Sequence, residues 1–201
     1  MKKLKGILLL LTLAFALTSC GSTKIERVDA DSAIDLSGYW NDTDIRIVTD
    51  SLIDECIVSR AVSNFKKEND RLARVKLGTI RNLSDEHIDT TIIANKFRNS
   101  IVNSGVLKFV SSDDELDYLR DERLNQEDYT NLETQASMGN ETGADFLLLG
   151  TIKTVTDVLD NRMVKTYYVD VELHDIETSE ILWTSENSDI KKVITRKKAK
   201  F

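Results

Sequence analysis

Apolar residues recur every third or fourth position through the middle of this chain and every second position through its last third, so helices are expected first and strands after them. Ile45, Val48, Leu52, Ile53, Cys56 and Ile57 share one stripe, which predicts a helix capped by Asn41 or Thr43 and running to about Lys66. Asp44 is favourably placed against its positive end, and Arg46, Asp50 and Asp54 recur on the opposite, solvated face. Val75 and Leu77 alternate with Lys76 and Gly78 in a strand from about Arg74 to Ile80, and a loop from Arg81 to Ile88 follows. Asp89 or Thr90 then caps a helix that stacks Ile93, Phe97 and Ile101 and stops at Gly105, a residue free to adopt positive φ. After a short strand, Val106 to Val110, Ser112 with Glu115 and Thr130 with Glu133 form two capping-box patterns. They predict helices over about 112 to 125 and 130 to 142, the second closed by Gly143.

The last third changes period. Ala144 to Leu159, Met163 to Ile176 and Glu180 to Ile194 are rich in β-branched and aromatic residues and are separated by short polar turns, the pattern of a β-meander. In the middle strand Met163, Lys165, Tyr167, Val169, Val171 and Leu173 share one face, and Thr166, Tyr168, Asp170, Glu172 and His174 the other. One side is expected to meet helices and the other water. The fold class expected is α+β: one small domain, 35 to 201, with a mixed, mostly antiparallel sheet of four or five strands flanked by about four helices.

Ahead of the domain, Lys2, Lys3 and Lys5 precede an apolar block from Ile7 to Leu17 that is short for a membrane span, and small residues then lead to Cys20. Leu17-Thr18-Ser19-Cys20 resembles the lipobox of bacterial lipoproteins. That reading makes 1 to 19 a signal peptide and Cys20 a lipidated first residue, held on a membrane by acyl chains. An outer-membrane anchor with the domain facing the periplasm is expected, with inner-membrane retention as the alternative. Gly21 to Ile34 then forms a flexible tether without proline. Fourteen residues reach at most about 50 Å when fully extended.

Charge narrows the partners further. The chain has a net charge of −7, and removing the signal takes away three of the 27 basic residues and none of the 34 acidic ones. That balance works against binding to nucleic acid and to anionic lipid surfaces. Cys56, alone once Cys20 is acylated, sits at helical spacing among apolar residues and is expected to be a buried structural thiol. No cofactor, metal or small-molecule substrate is indicated. His87 and His174 lack metal-ligand spacing, Ser37 and Ser104 lack the glycine two residues before a nucleophile elbow, and no phosphate-binding glycine loop occurs. The expectation is a protein that is not an enzyme.

Three stretches carry a resemblance. Asp35-Leu36-Ser37-Gly38-Tyr39-Trp40-Asn41-Asp42-Thr43-Asp44, Arg81-Asn82 to His87-Ile88-Asp89-Thr90, and Gly143-Ala144-Asp145-Phe146-Leu147-Leu148-Leu149-Gly150 resemble the LpoB family of penicillin-binding protein activators. The likeness extends over about Asp35 to Ile194 and includes Thr178-Ser179-Glu180-Ile181-Leu182-Trp183; the Gly-Ala-Asp stretch is also similar to TolB N-terminal and curli-secretion lipoprotein domains. It implies an outer-membrane lipoprotein whose domain binds a bifunctional penicillin-binding protein and stimulates its activities, and a small mixed sheet flanked by helices. Better-known proteobacterial members have a long, often proline-rich tether, which this chain lacks. The alternative is a structural or assembly lipoprotein of an outer-membrane export or envelope complex.

Partner-binding residues follow from exposure and type. Tyr168 is the first candidate, as an aromatic on a polar strand face. Arg162 at the adjacent turn and Trp183 on the next strand follow, with a core position open for Trp183. Arg81 and Asn82 lie in a family-like loop, where turn hydrogen bonding would account for them equally well. Trp40 is expected to dock the end of the tether on the helical face, in a staple-like contact before the helix cap.

Overall fold

A computed structural model describes residues 25–29 and 32–196; the lipobox and Cys20 lie outside them. From Ala33 onward the chain forms one compact unit. Its elements are α1 (Asp42–Ile57), α2 (Arg60–Asn69), β1 (Arg74–Asn82), α3 (Thr90–Ser104), β2 (Lys108–Phe109), α4 (Asp113–Tyr129), β3 (Phe146–Leu159), β4 (Arg162–Asp175), β5 (Ile181–Asn187) and β6 (Lys191–Thr195). The fold is α+β, as expected, although the described sheet has six strands.

Sheet order is β2-β1-β3-β4-β5, with β6 also paired to β4. β1 runs parallel to β2 and to β3, and the remaining pairs are antiparallel. β3 and β4, fourteen residues each, form a hairpin pairing Phe146 with Asp175 at one end and Leu159 with Arg162 at the other. β5 occupies Val169 to His174 of β4, and β6 occupies Arg162 to Thr166. The single expected third strand is therefore two, divided at Ser188 to Ile190.

The core lies on one face of this sheet. Val75, Phe146, Leu148, Ile152, Val169, Val171 and Leu173 are buried there beneath Val48, Leu52 and Cys56 of α1 and Ile93, Phe97 and Ile101 of α3. Each fully buried aliphatic or aromatic side chain contributes about 2 kcal/mol over its exposed state. Cys56 is free and fully buried, and burial raises its thiol to about 12. That is the structural thiol its spacing predicts.

Local signals explain the helix ends. Asn41 caps α1, its Oδ1 accepting from the Thr43 and Asp44 backbone N–H groups, while Asp44 Oδ2 accepts from the Asn41 N–H at 2.8 Å. The expected continuous helix to Lys66 is broken. Ser59 adopts extended backbone and caps α2 through Val62, so a hydroxyl able to satisfy a helix start divides the stripe in two. Asp89 caps α3, and Gly105 closes it at φ 65°. The capping box of Ser112 and Glu115 opens α4, which continues to Tyr129. Thr130 instead ends that helix, and the expected helix over 130 to 142 is a turn and coil, because its apolar residues Leu132 and Met138 find nothing to pack on and remain exposed.

Candidate functional site

The two faces of β4 have different chemistry. On the core side its apolar series is interrupted by Lys165, whose side chain is only 4% exposed. Lys165 Nζ lies 2.7 Å from Glu86 Oε1 and 3.0 Å from both oxygens of Asp85, drawing in the loop between β1 and α3. Glu86 also accepts from the Tyr167 hydroxyl at 2.7 Å and from the Trp40 backbone N–H at 3.0 Å. Burial alone would lower the Lys165 ammonium, but its bonds to Glu86 and then Asp85 outweigh that and raise it. Glu86 shows the converse: burial pushes its carboxyl up, and the bonds from Lys165, Trp40 and Tyr167 bring it below its ordinary value. Tyr167 is raised, by burial first and then by its bond to Glu86.

A second lysine completes this clasp from β6. Lys192 Nζ reaches Asp44 Oδ2 at 2.6 Å, Asp35 Oδ1 at 2.8 Å and the Tyr39 carbonyl at 2.8 Å. Asp35 is held below its usual range by Lys192 and then by Asn41. Trp40 packs on Tyr167 with ring centroids 5.1 Å apart, so this residue before the helix cap reaches the sheet as it joins the core. Two of the three family-like stretches thus converge on β4 and β6 as a structural clasp. The third anchors through Asp145, which makes paired 2.7 Å bonds to Arg71 and accepts from the Arg74 N–H. Arg71 first, and then the Arg74 N–H, lower the Asp145 carboxyl against the opposing effect of burial.

Among the described residues, no helix packs over the other face of β4. Thr166, Tyr168, Asp170, Glu172 and His174 are partly exposed there. Tyr168 stands in register with Lys153, and Asp170 with Thr151, which in turn is beside Arg81. Lys153 Nζ and Thr151 Oγ1 both bond Asp170 Oδ2, at 3.0 and 3.1 Å. The Arg81 side chain makes no hydrogen bond or ion pair among the described residues. A shallow depression of about 400 Å³ opens over Leu149 and Gly150, rimmed by Arg81, Lys153, Asp170 and Glu172. It mixes both charge signs around a small apolar floor, a surface suited to protein contact.

The sequence candidates divide between the faces. Tyr168, Arg81 and, nearer the hairpin turn, exposed Arg162 share the open face. Trp183 does not join them; it pairs with Leu173 and packs partly buried against the core. Asn82 is turned into the loop, donating to the Glu86 carbonyl at 2.7 Å and accepting from Ser84. His87 is exposed, and His174 Nε2 lies 2.9 Å from Glu172. No group of three or more His, Cys, Asp or Glu is placed to hold a metal among the described residues. No local pattern marks the clasp carboxylates in the sequence, though a lysine in an otherwise apolar strand face signals that a buried anion must meet it.

A helix-backed mixed sheet with one clasped and one open face defines a small α+β domain. A family model described as peptidoglycan-synthase activator LpoB matches residues 44–188, and the chain belongs to the LpoB family. Similar solved structures include the LpoB C-terminal domain from Salmonella enterica, at 16% identity over 68% of this chain and 93% of that one, with a TM-score of 0.34. The LpoB C-terminal domain from Escherichia coli is 13% identical over 62% and 83%, also with a TM-score of 0.34. Lipoprotein GNA1162 from Neisseria meningitidis is 17% identical over 60% and 83%, with a TM-score of 0.37. A sequence search of curated proteins gives no match. No described helix is long and apolar enough to cross a membrane.

Proposed function

We propose that this protein is an envelope lipoprotein, anchored through Cys20, that binds a bifunctional penicillin-binding protein through the open sheet face and stimulates its peptidoglycan synthesis. The observation that carries the surface is the grouping of Tyr168, Arg81 and the Lys153 to Asp170 pair on one uncovered face. Stimulation by binding requires that the active synthase conformation be held more tightly than the inactive one, and a hundredfold preference corresponds to about 2.7 kcal/mol. The fourteen-residue tether favours a synthase surface close to the anchoring membrane.

The same tether supports a second reading, in which the domain joins export or assembly complexes at the anchoring membrane. Glycan polymerisation by a purified bifunctional penicillin-binding protein, with and without this protein, tests the first reading. A rise in rate supports it. An unchanged rate, with no binding to the synthase, supports the assembly role instead.

A further inference from the structure

Helix α4 stands apart from the rest of the unit. None of its seventeen residues is buried, and ion pairs fasten it to the body: Glu115 to Arg98, Asp113 to Lys76 at 2.6 Å, and Arg120 and Arg123 to Glu141. Yet it exposes large side chains, Tyr118 at 78% and Tyr129 at 87%. Eleven residues of α-helix complete three turns with about 20° to spare, so the two tyrosines leave the helix along one line with their Cα atoms about 16 Å apart. Glu122 falls between them and Asp114 and Asp121 beside them. Eight of the seventeen residues are acidic, and the only two basic ones are already paired with Glu141.

We propose that the outward stripe of α4, centred on Tyr118 and Tyr129, is a second docking surface whose occupant is a basic protein segment carrying arginine or lysine at helical or strand spacing. Partner guanidinium or ammonium groups stack on the two rings while their charge meets Asp114, Asp121 and Glu122. A second copy of this chain brings like charge to like and is disfavoured, and an anionic lipid surface is repelled for the same reason. The stripe shares no residue with the open face of β4, so the inference does not rest on the synthase reading.

The test uses the purified, isotope-labelled protein and two synthetic sixteen-residue amphipathic peptides with the same apolar residues, one with arginine at its polar positions and one with glutamate. The arginine peptide is expected to shift backbone amides over 113–129, with affinity falling as salt rises. The double variant Tyr118→Ser/Tyr129→Ser is expected to bind it at least fivefold more weakly at an unchanged unfolding midpoint, while Tyr168→Ala binds it as the parent does. Absence of shifts in α4, equal binding of the glutamate peptide, undiminished binding by the double tyrosine variant, or adsorption to phosphatidylglycerol vesicles would each overturn the proposal.

Discussion

One strand, β4, carries two kinds of chemistry on its alternate residues. Its Lys165 and Tyr167 are buried and tied to carboxylates and an indole from distant parts of the chain, while Tyr168 and Asp170, one step along, face water. The difference separates two reasons for a family-like residue. Asp35, Trp40, Asp44 and Glu86 lie in the stretches that carry the family resemblance, and here they hold the fold together. The residues proposed to meet a partner are ordinary in type and stand out only through the strand period that sets them on the open side.

The clasp is the place to break this contrast hardest. Lys165→Met leaves Glu86, itself only 7% exposed, without its cation, and removal of one member of a buried pair costs about 3 kcal/mol or more. Chemical denaturation should show that loss. A Lys165→Met/Glu86→Gln double variant should recover much of it, because the uncompensated charge is gone. If the single variant unfolds as the parent does, the clasp does not hold the fold.

Gly38 gives a smaller effect in the same region. It adopts φ 74°, and a Cβ there would sit 2.6 Å from Ile194 Cγ1 on β6, so Gly38→Ala combines backbone strain with a clash. About 1 to 2 kcal/mol of destabilisation is expected. A thermal midpoint equal to the parent's would show that the strap from Asp35 to Trp40 yields without cost.

Acid should loosen the clasp side selectively. Lys165 and then Thr154 lower the Asp85 carboxyl, Lys192 lowers Asp35, and Glu86 is brought down despite its burial. Carboxyls depressed in the folded state contribute stability that is full above their unfolded values, 3.8 to 4.5, and is lost as pH falls through the lower folded ones. Lys165 has the opposite sign: its raised value contributes stability below 10.5 that is lost as pH rises through the folded value. The parent should therefore show an acid limb below about pH 4 that is flatter in Lys165→Met. Equal limbs would place the acid sensitivity elsewhere, for example at Asp145.

On the open face the same measurements should barely move. Tyr168→Ala removes a partly exposed ring that makes no side-chain hydrogen bond among the described residues, and surface changes of this kind stay within about 0.5 kcal/mol.

Much of this architecture is legible from residue order. The spacing of Ile93, Phe97 and Ile101, the Asp89 cap and the Gly105 stop give α3 nearly to the residue, and the period-two alternation of β4 assigns its faces correctly. Cap chemistry alone is a weaker guide. Ser112 and Glu115 open a real helix, whereas Thr130 and Glu133 open none, since a cap satisfies only the first turn and a helix persists where its side chains find contacts. Ser59 shows the reverse, a modest hydroxyl dividing a stripe that reads as continuous. The clasp was not legible because its partners are separated by 79 residues at Lys165 and Glu86 and by 157 at Lys192 and Asp35. Nothing local announces which carboxylate a buried lysine will meet. Residue type offers Trp183 and loop identity offers Asn82 as partner-binding candidates, whereas Trp183 packs against the core and Asn82 bonds within its own loop.

The proposed function requires that the open face of β4, and not its clasped face, engage the partner. The most direct measurement is the dissociation constant of Tyr168→Ala for a purified bifunctional penicillin-binding protein, taken beside its unfolding midpoint. A central interface tyrosine is worth about 2 kcal/mol, so a weakening of about thirtyfold at an unchanged midpoint is predicted. An unchanged dissociation constant would contradict the claim and move the interface off this face.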